Sequence, residues 1–192
     1  MDKENAVTAE QRGGSEYNYL RLLKPVPRPF EDKEAAKKWG EAGRPDFLWQ
    51  RMSTQDYIFD DLTRGNQNYF LQSLFDPGSE HFELGDDGIA TANFIVPKVN
   101  ANIHFAVWGA VPVQTVMAAG KELLAYLFHK YELNRITAIC PVSNKNAIRF
   151  ATLLRFKYEG ELRKAFLSYG TYYNTALYGL LREEFVRSEV VQ

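Results

Sequence analysis

Arg135-Ile136-Thr137-Ala138-Ile139-Cys140-Pro141-Val142-Ser143-Asn144-Lys145-Asn146-Ala147 is the stretch on which the reading of this chain turns. Residues 135–141 form an apolar, partly β-branched run of strand length, and the Ser143-Asn144 pair then offers a side-chain oxygen able to cap a helix. A helix of about three turns is expected over 144–155. Phe156-Lys157-Tyr158-Glu159-Gly160-Glu161-Leu162-Arg163 follows, and Tyr169-Gly170 separates two long strands, 158–166 and 172–181. The last third thus reads strand, helix, strand, strand.

Upstream, Val113 to Tyr131 carries Val116, Gly120, Leu123, Leu124, Leu127 and Tyr131 at helical spacing, with Gln114, Lys121, Glu122 and His129 opposite. Before it, Asn102 to Trp108 alternates: Ile103, Phe105 and Val107 face one way, and Asn102, His104, Ala106 and Trp108 the other. His81 to Leu84 and Ile89 to Val96 flank Gly85-Asp86-Asp87-Gly88, a hairpin signature. Helices are expected over 31–40, 46–62 and 67–75, the last stopped by Asp76-Pro77-Gly78, and Tyr19 to Pro25 reads as a short strand. Residues 1–16 hold almost nothing to bury and are expected to form a tail, with the domain over 17–186 and a second tail at 187–192. Strands and helices mixed in this order define an α/β (α+β mixed) fold class.

Composition narrows the function. A chain of 192 residues with 45% hydrophobic and 14% aromatic content suits one globular core. No apolar run approaches the roughly 18 residues of a membrane span, so no membrane role is expected. The single cysteine, Cys140, rules out an internal disulfide, and the charged start Met1-Asp2-Lys3-Glu4-Asn5 has no secretory apolar segment. A cytoplasmic location is expected. The net charge of −1 offers no general attraction to phosphate backbones, which argues against nucleic acid as a partner.

The order of elements and the stretches quoted above, with Tyr158 to Lys164 and Gly170-Thr171-Tyr172-Tyr173, resemble the GNAT (Gcn5-related) N-acetyltransferase superfamily. The likeness is to the ribosomal-protein N-terminal acetyltransferase-like branch, and it covers roughly the last 85 residues. It implies a central twisted mixed sheet of six to seven strands, flanked by helices, in which the strands before and after the long helix splay apart. Acetyl-CoA then lies in the gap as co-substrate, its arm along the free edge formed by His104, Phe105, Ala106, Val107 and Trp108, and its pyrophosphate on the first helical turn. By the same resemblance Gln114, Thr115, Val116 and Met117 form the phosphate turn, and Asn144 faces the cofactor arm. The turn departs from the family: Val111-Pro112-Val113-Gln114-Thr115 has no glycines. The phosphate loop is degenerate.

For the chemistry, His104 is the first choice as general base, since histidine titrates nearest neutrality and the residue lies on the cofactor-edge strand. A histidine simply packed between sheet and helix is the other reading. Glu83 is a second candidate base, and Tyr173 or Tyr172 a proton source. Relatives place a serine or tyrosine a few residues beyond the asparagine to protonate the departing thiolate. Here Ala147 and Ala151 stand at those positions. Where relatives end the preceding helix with glycine and phenylalanine, this chain has Arg155-Phe156, so the left-handed cap that glycine permits is expected to give way to another ending.

Three functions stay open. The first is an N-acyltransferase acting on a primary amine of a peptide N-terminus, a small molecule or a nucleobase, with the helices over 30–75 walling the acceptor side. The second is an inactive GNAT-fold binding or assembly protein, and the third a nucleobase-modifying acyltransferase. A homodimer through the long final strands is compatible with each. Cys140, inside an apolar strand, reads as inert, and His81, His104 and His129 are too scattered for a metal site.

Overall fold

The structure is a computed structural model that describes residues 19–190. The tail expected over 1–16 lies outside the described residues, as do 17–18 and 191–192. The chain runs β1 (Lys24–Pro25), α1 (Lys33–Glu41), α2 (Arg44–Met52), α3 (Gln67–Leu74), β2 (Glu80–Leu84), β3 (Gly88–Val96), β4 (Asn100–Val107), α4 (Val113–Lys130), β5 (Arg135–Pro141), α5 (Lys145–Leu153), β6 (Lys157–Ser168), β7 (Thr171–Leu181) and α6 (Arg182–Val190). The strands form one seven-stranded sheet in the order β1-β2-β3-β4-β5-β7-β6. All neighbouring pairs are antiparallel except β4 and β5, which run parallel on either side of the α4 crossover.

Alternation along the strands divides the core in two. Ala90, Ala92, Ile103, Ile136, Ala138, Ala176, Tyr178 and Leu180 point to one face and are buried with Leu123, Leu124 and Leu127 of α4. The helix α5 shares that side, lying so close to α4 that a Cβ on Gly120 would sit 2.9 Å from Leu154 and Phe150. On the opposite face Ile89, Ala106 and Trp108 meet a second cluster built from Trp39, Leu48, Met52, Phe59, Phe70 and Leu74. Each early helix contributes a pair at helical spacing: Ala36 and Trp39 from α1, Leu48 and Met52 from α2, Phe70 and Leu74 from α3. Asp32 and Asn66 cap two of these helices by accepting the N–H of Ala35 and of Tyr69.

Three expectations are corrected. The strand predicted over 19–25 shrinks to Lys24–Pro25, because the N–H groups of Arg21, Leu22 and Leu23 all point to one carboxylate oxygen of Glu122 on α4, at 3.0, 2.9 and 3.4 Å. Three successive donors curled around an anion cannot also extend along a strand. The helix predicted over 46–62 ends at Met52, and 53–66 is a run of turns. There the Asp60 carboxylate takes the N–H of Leu62 and Thr63 and the Thr63 hydroxyl, the local bonding by which Asp competes with a helix. Beyond β7 the chain continues as α6, which runs to Val190 and docks through Phe185 stacked on Phe128 at 5.3 Å.

The third correction concerns the end of α5. Arg155 adopts φ +68, the left-handed conformation expected to be lost without glycine. The N–H of Phe156 bonds the Ala151 carbonyl and that of Arg155 the Thr152 carbonyl, both at 3.0 Å, the hydrogen-bond pattern of a Schellman ending. Phe156 and Leu154 are buried, and anchoring them holds Arg155 in a conformation that disfavours an L side chain by about 1–2 kcal/mol. Arg155 is exposed. The substitution Arg155→Gly is therefore expected to stabilise the fold by about 1 kcal/mol after the entropy lost to glycine, a rise of roughly 2–4 °C in the melting midpoint. Thermal denaturation followed by circular dichroism reads this directly, and an unchanged or lower midpoint would contradict it.

Candidate functional site

The pairing of β4 with β5 is short. It joins Asn100 to Arg135, Ala101 to Ile136, Asn102 to Thr137 and Ile103 to Ala138, and there it stops. Beyond that point β4 keeps its partner β3 as far as Val107, and β5 keeps β7 as far as Pro141. The two strands diverge, and the edge of β4 from His104 to Val107 faces a gap. On the α4 side Phe105 and Phe150 of α5 meet edge-to-face at 5.1 Å, both half-buried, so the ring of Phe105 is a packing group and its backbone is what lines the opening.

His104 lies at the apex of the gap, on the face opposite α4. It opens to solvent, yet the surrounding protein lowers its pKa below the ordinary histidine value through loss of hydration. Both properties fit a ring lining a recess: water reaches it, but too few waters surround it to favour the charged form. In register beside it stand Thr91 and then His81. The Nε2 of His81 donates to the carbonyl of Ser73, at 2.9 Å, since a carbonyl only accepts. The Nδ1 of His81 therefore accepts from the Thr91 hydroxyl, also at 2.9 Å, and burial holds this ring neutral.

The far rim of this face is formed by 53–66 and the turn between β6 and β7. Tyr169 and Gly170 have φ +50 and +71, the two left-handed residues of a type I′ hairpin. The carboxylate of Asp61 takes both their N–H groups, at 2.7 and 2.6 Å, while Asp61 N–H reaches the Leu167 carbonyl. Arg64 donates to Ser168 and to the Tyr169 hydroxyl and lies 4.2 Å over the Tyr169 ring, whose hydroxyl donates to Asp56. These bonds latch the two loops together. Tyr57 against Phe166 at 6.5 Å extends the wall inward.

At the wide end of the gap α4 begins after Pro112 with no side chain capping it. Val113, Gln114, Met117, Ala118 and Lys121 of α4 with Arg149 and Leu153 of α5 line an open groove of about 470 Å³. Asn144 caps α5, its Oδ1 accepting the Ala147 N–H at 3.1 Å, which leaves its amide nitrogen free of that bond. Ala147 and Ala151 put no hydroxyl on this helix, and Ala151 is buried.

The structure brings His104, Phe105, Ala106 and Val107 together on one edge, Gln114 and Met117 into the groove, and Thr115 and Val116 into the same first turns of α4. Glu83 is on the His104 face but is held by Arg44 at 2.8 Å, so it is not a free base. Tyr173 lies half-buried on β7 opposite Phe166, on the same face as His104. Burial pushes the Cys140 thiol up to about 11, which suppresses thiolate at neutral pH. Among the described residues no group of three or more His, Cys, Asp or Glu could hold a metal ion, and no helix is long and apolar enough to cross a membrane. The sequence reading missed Arg149 in the groove and the latch residues Asp61 and Arg64, whose partners lie about a hundred positions away.

This arrangement, a mixed sheet split between parallel strands flanking the long helix, is the GNAT acetyltransferase fold. Among solved structures, a probable acetyltransferase superposes with a TM-score of 0.60 at 20% identity, covering 85% of this chain and 92% of that one. A GNAT-family acetyltransferase from Bacillus anthracis gives 0.60 at 17% identity over 74% of this chain and 91% of that one. The spermidine N-acetyltransferase from Vibrio cholerae, in complex with CoA and spermine, gives 0.59 at 16% identity over 75% and 93%. At such identities the fold is what is shared. No protein-family model matches the chain, and no curated protein does.

The latch has a pH dependence of definite sign. Hydrogen bonds from Gly170 and Tyr169, with Arg64 nearby, lower the Asp61 pKa below its usual 3.8. A carboxyl depressed on folding stabilises above its unfolded pKa and stops doing so as the pH falls through the folded one. Amide exchange at Tyr169 and Gly170 is expected to be protected above about pH 4 and to lose protection at lower pH. In Asp61→Ala, which removes both acceptor oxygens, these two amides should be unprotected at every pH, and protection equal to that of the unsubstituted chain would refute the latch.

Proposed function

We propose that this chain is an N-acyltransferase that moves the acetyl group of acetyl-CoA to a primary amine. The observation carrying this reading is the gap between β4 and β5. Unpaired N–H and C=O groups shut away from water are disfavoured by about 1–3 kcal/mol each, so an edge such as 104–107 calls for water or an added strand. A pantetheine arm, with its two amides, supplies that strand. The uncapped start of α4 suits a pyrophosphate without needing glycines, since the free N–H groups and helix dipole favour anions. The groove between α4 and α5 adds Lys121 and Arg149 as cations beside an apolar floor, and the amide nitrogen of Asn144 is placed to meet the arm.

His104 accepts the proton that the amine must lose before it attacks. Its lowered pKa keeps the ring neutral, and so able to accept, at pH 7. A backbone N–H of the β4 edge holds the carbonyl oxygen as charge gathers there; as the new C–N bond is kept and the C–S bond breaks, the departing CoA thiolate takes its proton from the Tyr173 hydroxyl on the same face. Glu83, tied to Arg44, serves as support. The expectation of an amine acceptor is strengthened by the Vibrio cholerae neighbour, whose structure holds CoA and spermine. The 158–173 hairpin sequence supports the ribosomal-protein N-terminal acetyltransferase-like branch, and a single cysteine, which can form no internal disulfide, suits a cytoplasmic setting. Ala147 and Ala151, which remove the usual proton donor, favour a second reading as a non-catalytic binding module on the same scaffold.

Acetyl-CoA at 100-fold over its dissociation constant is expected to stabilise the fold by about 2.7 kcal/mol. No thermal shift at millimolar ligand would leave only the binding-module reading. In the active protein, His104→Gln should lower kcat by about 10²-fold with acetyl-CoA affinity unchanged. The rise of activity with pH, centred below the ordinary histidine value of 6.5, should vanish with it. A pH profile untouched by that substitution would remove His104 from the chemistry.

A further inference from the structure

On the face of the sheet that carries His104, one row of side chains runs at right angles to the strands: His81 on β2, Thr91 on β3 and His104 on β4, each in register with the next. The row is anchored at its buried end. His81 gives its Nε2–H to the Ser73 carbonyl of α3 and so can only accept at Nδ1, which commits the single proton of the Thr91 hydroxyl to that nitrogen, both bonds being 2.9 Å long. What Thr91 has left to offer is a lone pair. Its other neighbour along the row is His104, whose ring makes no hydrogen bond among the described residues. Cross-strand partners stand with Cβ atoms about 4.5–5.5 Å apart, so a turn of the imidazole brings one of its nitrogens to the threonine oxygen.

We propose that Thr91 is the positioning residue of His104: it offers an acceptor and no donor, so the ring turns an N–H to Thr91 and its basic nitrogen to the gap. This rests on the transferase reading above. A free hydroxyl would do the opposite, because by donating to His104 it would occupy the lone pair that must take the proton of the amine. His81 prevents that. As the new C–N bond forms, the proton passes from the amine to the ring nitrogen facing the gap, the N–H on the other side closes on the Thr91 oxygen, and the proton later leaves to water. The ionisable groups that neighbouring elements bring to this face are His81 and Glu83 of β2, Tyr173 of β7, and Arg44 of α2, which holds Glu83 at 2.8 Å and also reaches Asp86. At the far rim stand Tyr57 and the latched Asp56, Asp61 and Arg64. Burial, with Arg28 adding to it, keeps His81 neutral against the Ser73 carbonyl, Asp76 and Glu80, which favour the charged ring.

The chain has three histidines, so their ring resonances can be followed one by one by nuclear magnetic resonance as the pH is varied, with His104→Gln giving the assignment. In the unsubstituted protein His81 should keep its Nε2–H form throughout, and His104 should titrate below 6.5. Thr91→Val keeps the branched shape and removes the acceptor, so it should lower the His104 pKa further, by about one unit. Thr91→Ser should restore it. His81→Phe, by freeing the Thr91 hydroxyl to donate, should lower the His104 pKa as well, and should add nothing in the Thr91→Val background. A His104 pKa that rises or stays in place in Thr91→Val means that Thr91 donates or makes no contact, and overturns the proposal. Should His81→Phe fail to melt cooperatively, the two Thr91 variants decide by themselves. Acetyl-CoA added to the same samples separates the failures. A thermal shift with an unchanged His104 pKa in Thr91→Val removes the role of Thr91 alone, whereas no thermal shift removes the transferase reading and the role of His104 as base with it.

Discussion

Backbone hydrogen bonding in the middle of the sheet is the constraint from which the rest follows. β4 and β5 share four residue pairs and then part, each retaining its outer neighbour for the full length of its strand. The sheet is thus two antiparallel halves stapled at one end. Helices stiffen both halves: α4 and α5 lie behind the seam and pack across strands of the two halves together, and α1 to α3 cover the β2–β4 half from the other face. Pro141, at the end of β5, has no N–H to give to either neighbour. The aromatic contact of Phe105 with Phe150 fills the α4 side of the divergence. Closing the seam would require moving packed cores, so the opening is a fixed feature of the fold, which suits chemistry that depends on holding two reactants in place.

The two faces of the seam differ in kind. Behind it, Ile103, Ala138 and the leucines of α4 make a dry surface. In front, His104, Asn102, Thr137 and Thr91 are polar, and the side chains ordering them are themselves ordered: His81 is fixed by the Ser73 carbonyl and the Thr91 hydroxyl. The front also has a rim, because the acidic loop over 53–66 is tied to the β6–β7 turn by Asp61, Arg64 and Tyr169. Tyr169 holds a backbone conformation that glycine would take more readily. Its ring and hydroxyl each contact the opposing loop, which accounts for a tyrosine at a strained position.

How much was legible depended on how local the cause was. The cap at Asn144, the alternation from Asn102 to Trp108 and the periodicity of 113–131 are set by neighbours a few positions apart, and the structure carries each of them. The misread places share a different cause. The segment 21–23 curls around Glu122, 53–66 answers to the hairpin, and Arg155 is held left-handed by the burial of Leu154 and Phe156. Each is a local preference overruled by a partner that spacing does not reveal.

By itself, the sequence determined the kinds of element, their order and the mixed α/β class, because strand alternation, helical periodicity and caps act over one or two turns of chain. It also placed His104 on a strand next to the long helix. Only the tertiary structure decided that this strand loses its parallel partner after Ile103, that Glu83 is spoken for by Arg44, and that Oδ1 of Asn93 is buried without a partner. Whether a strand edge is free, or a carboxylate or amide has a partner, depends on what distant segments bring alongside, and that is settled when the sheet assembles and its two cores close.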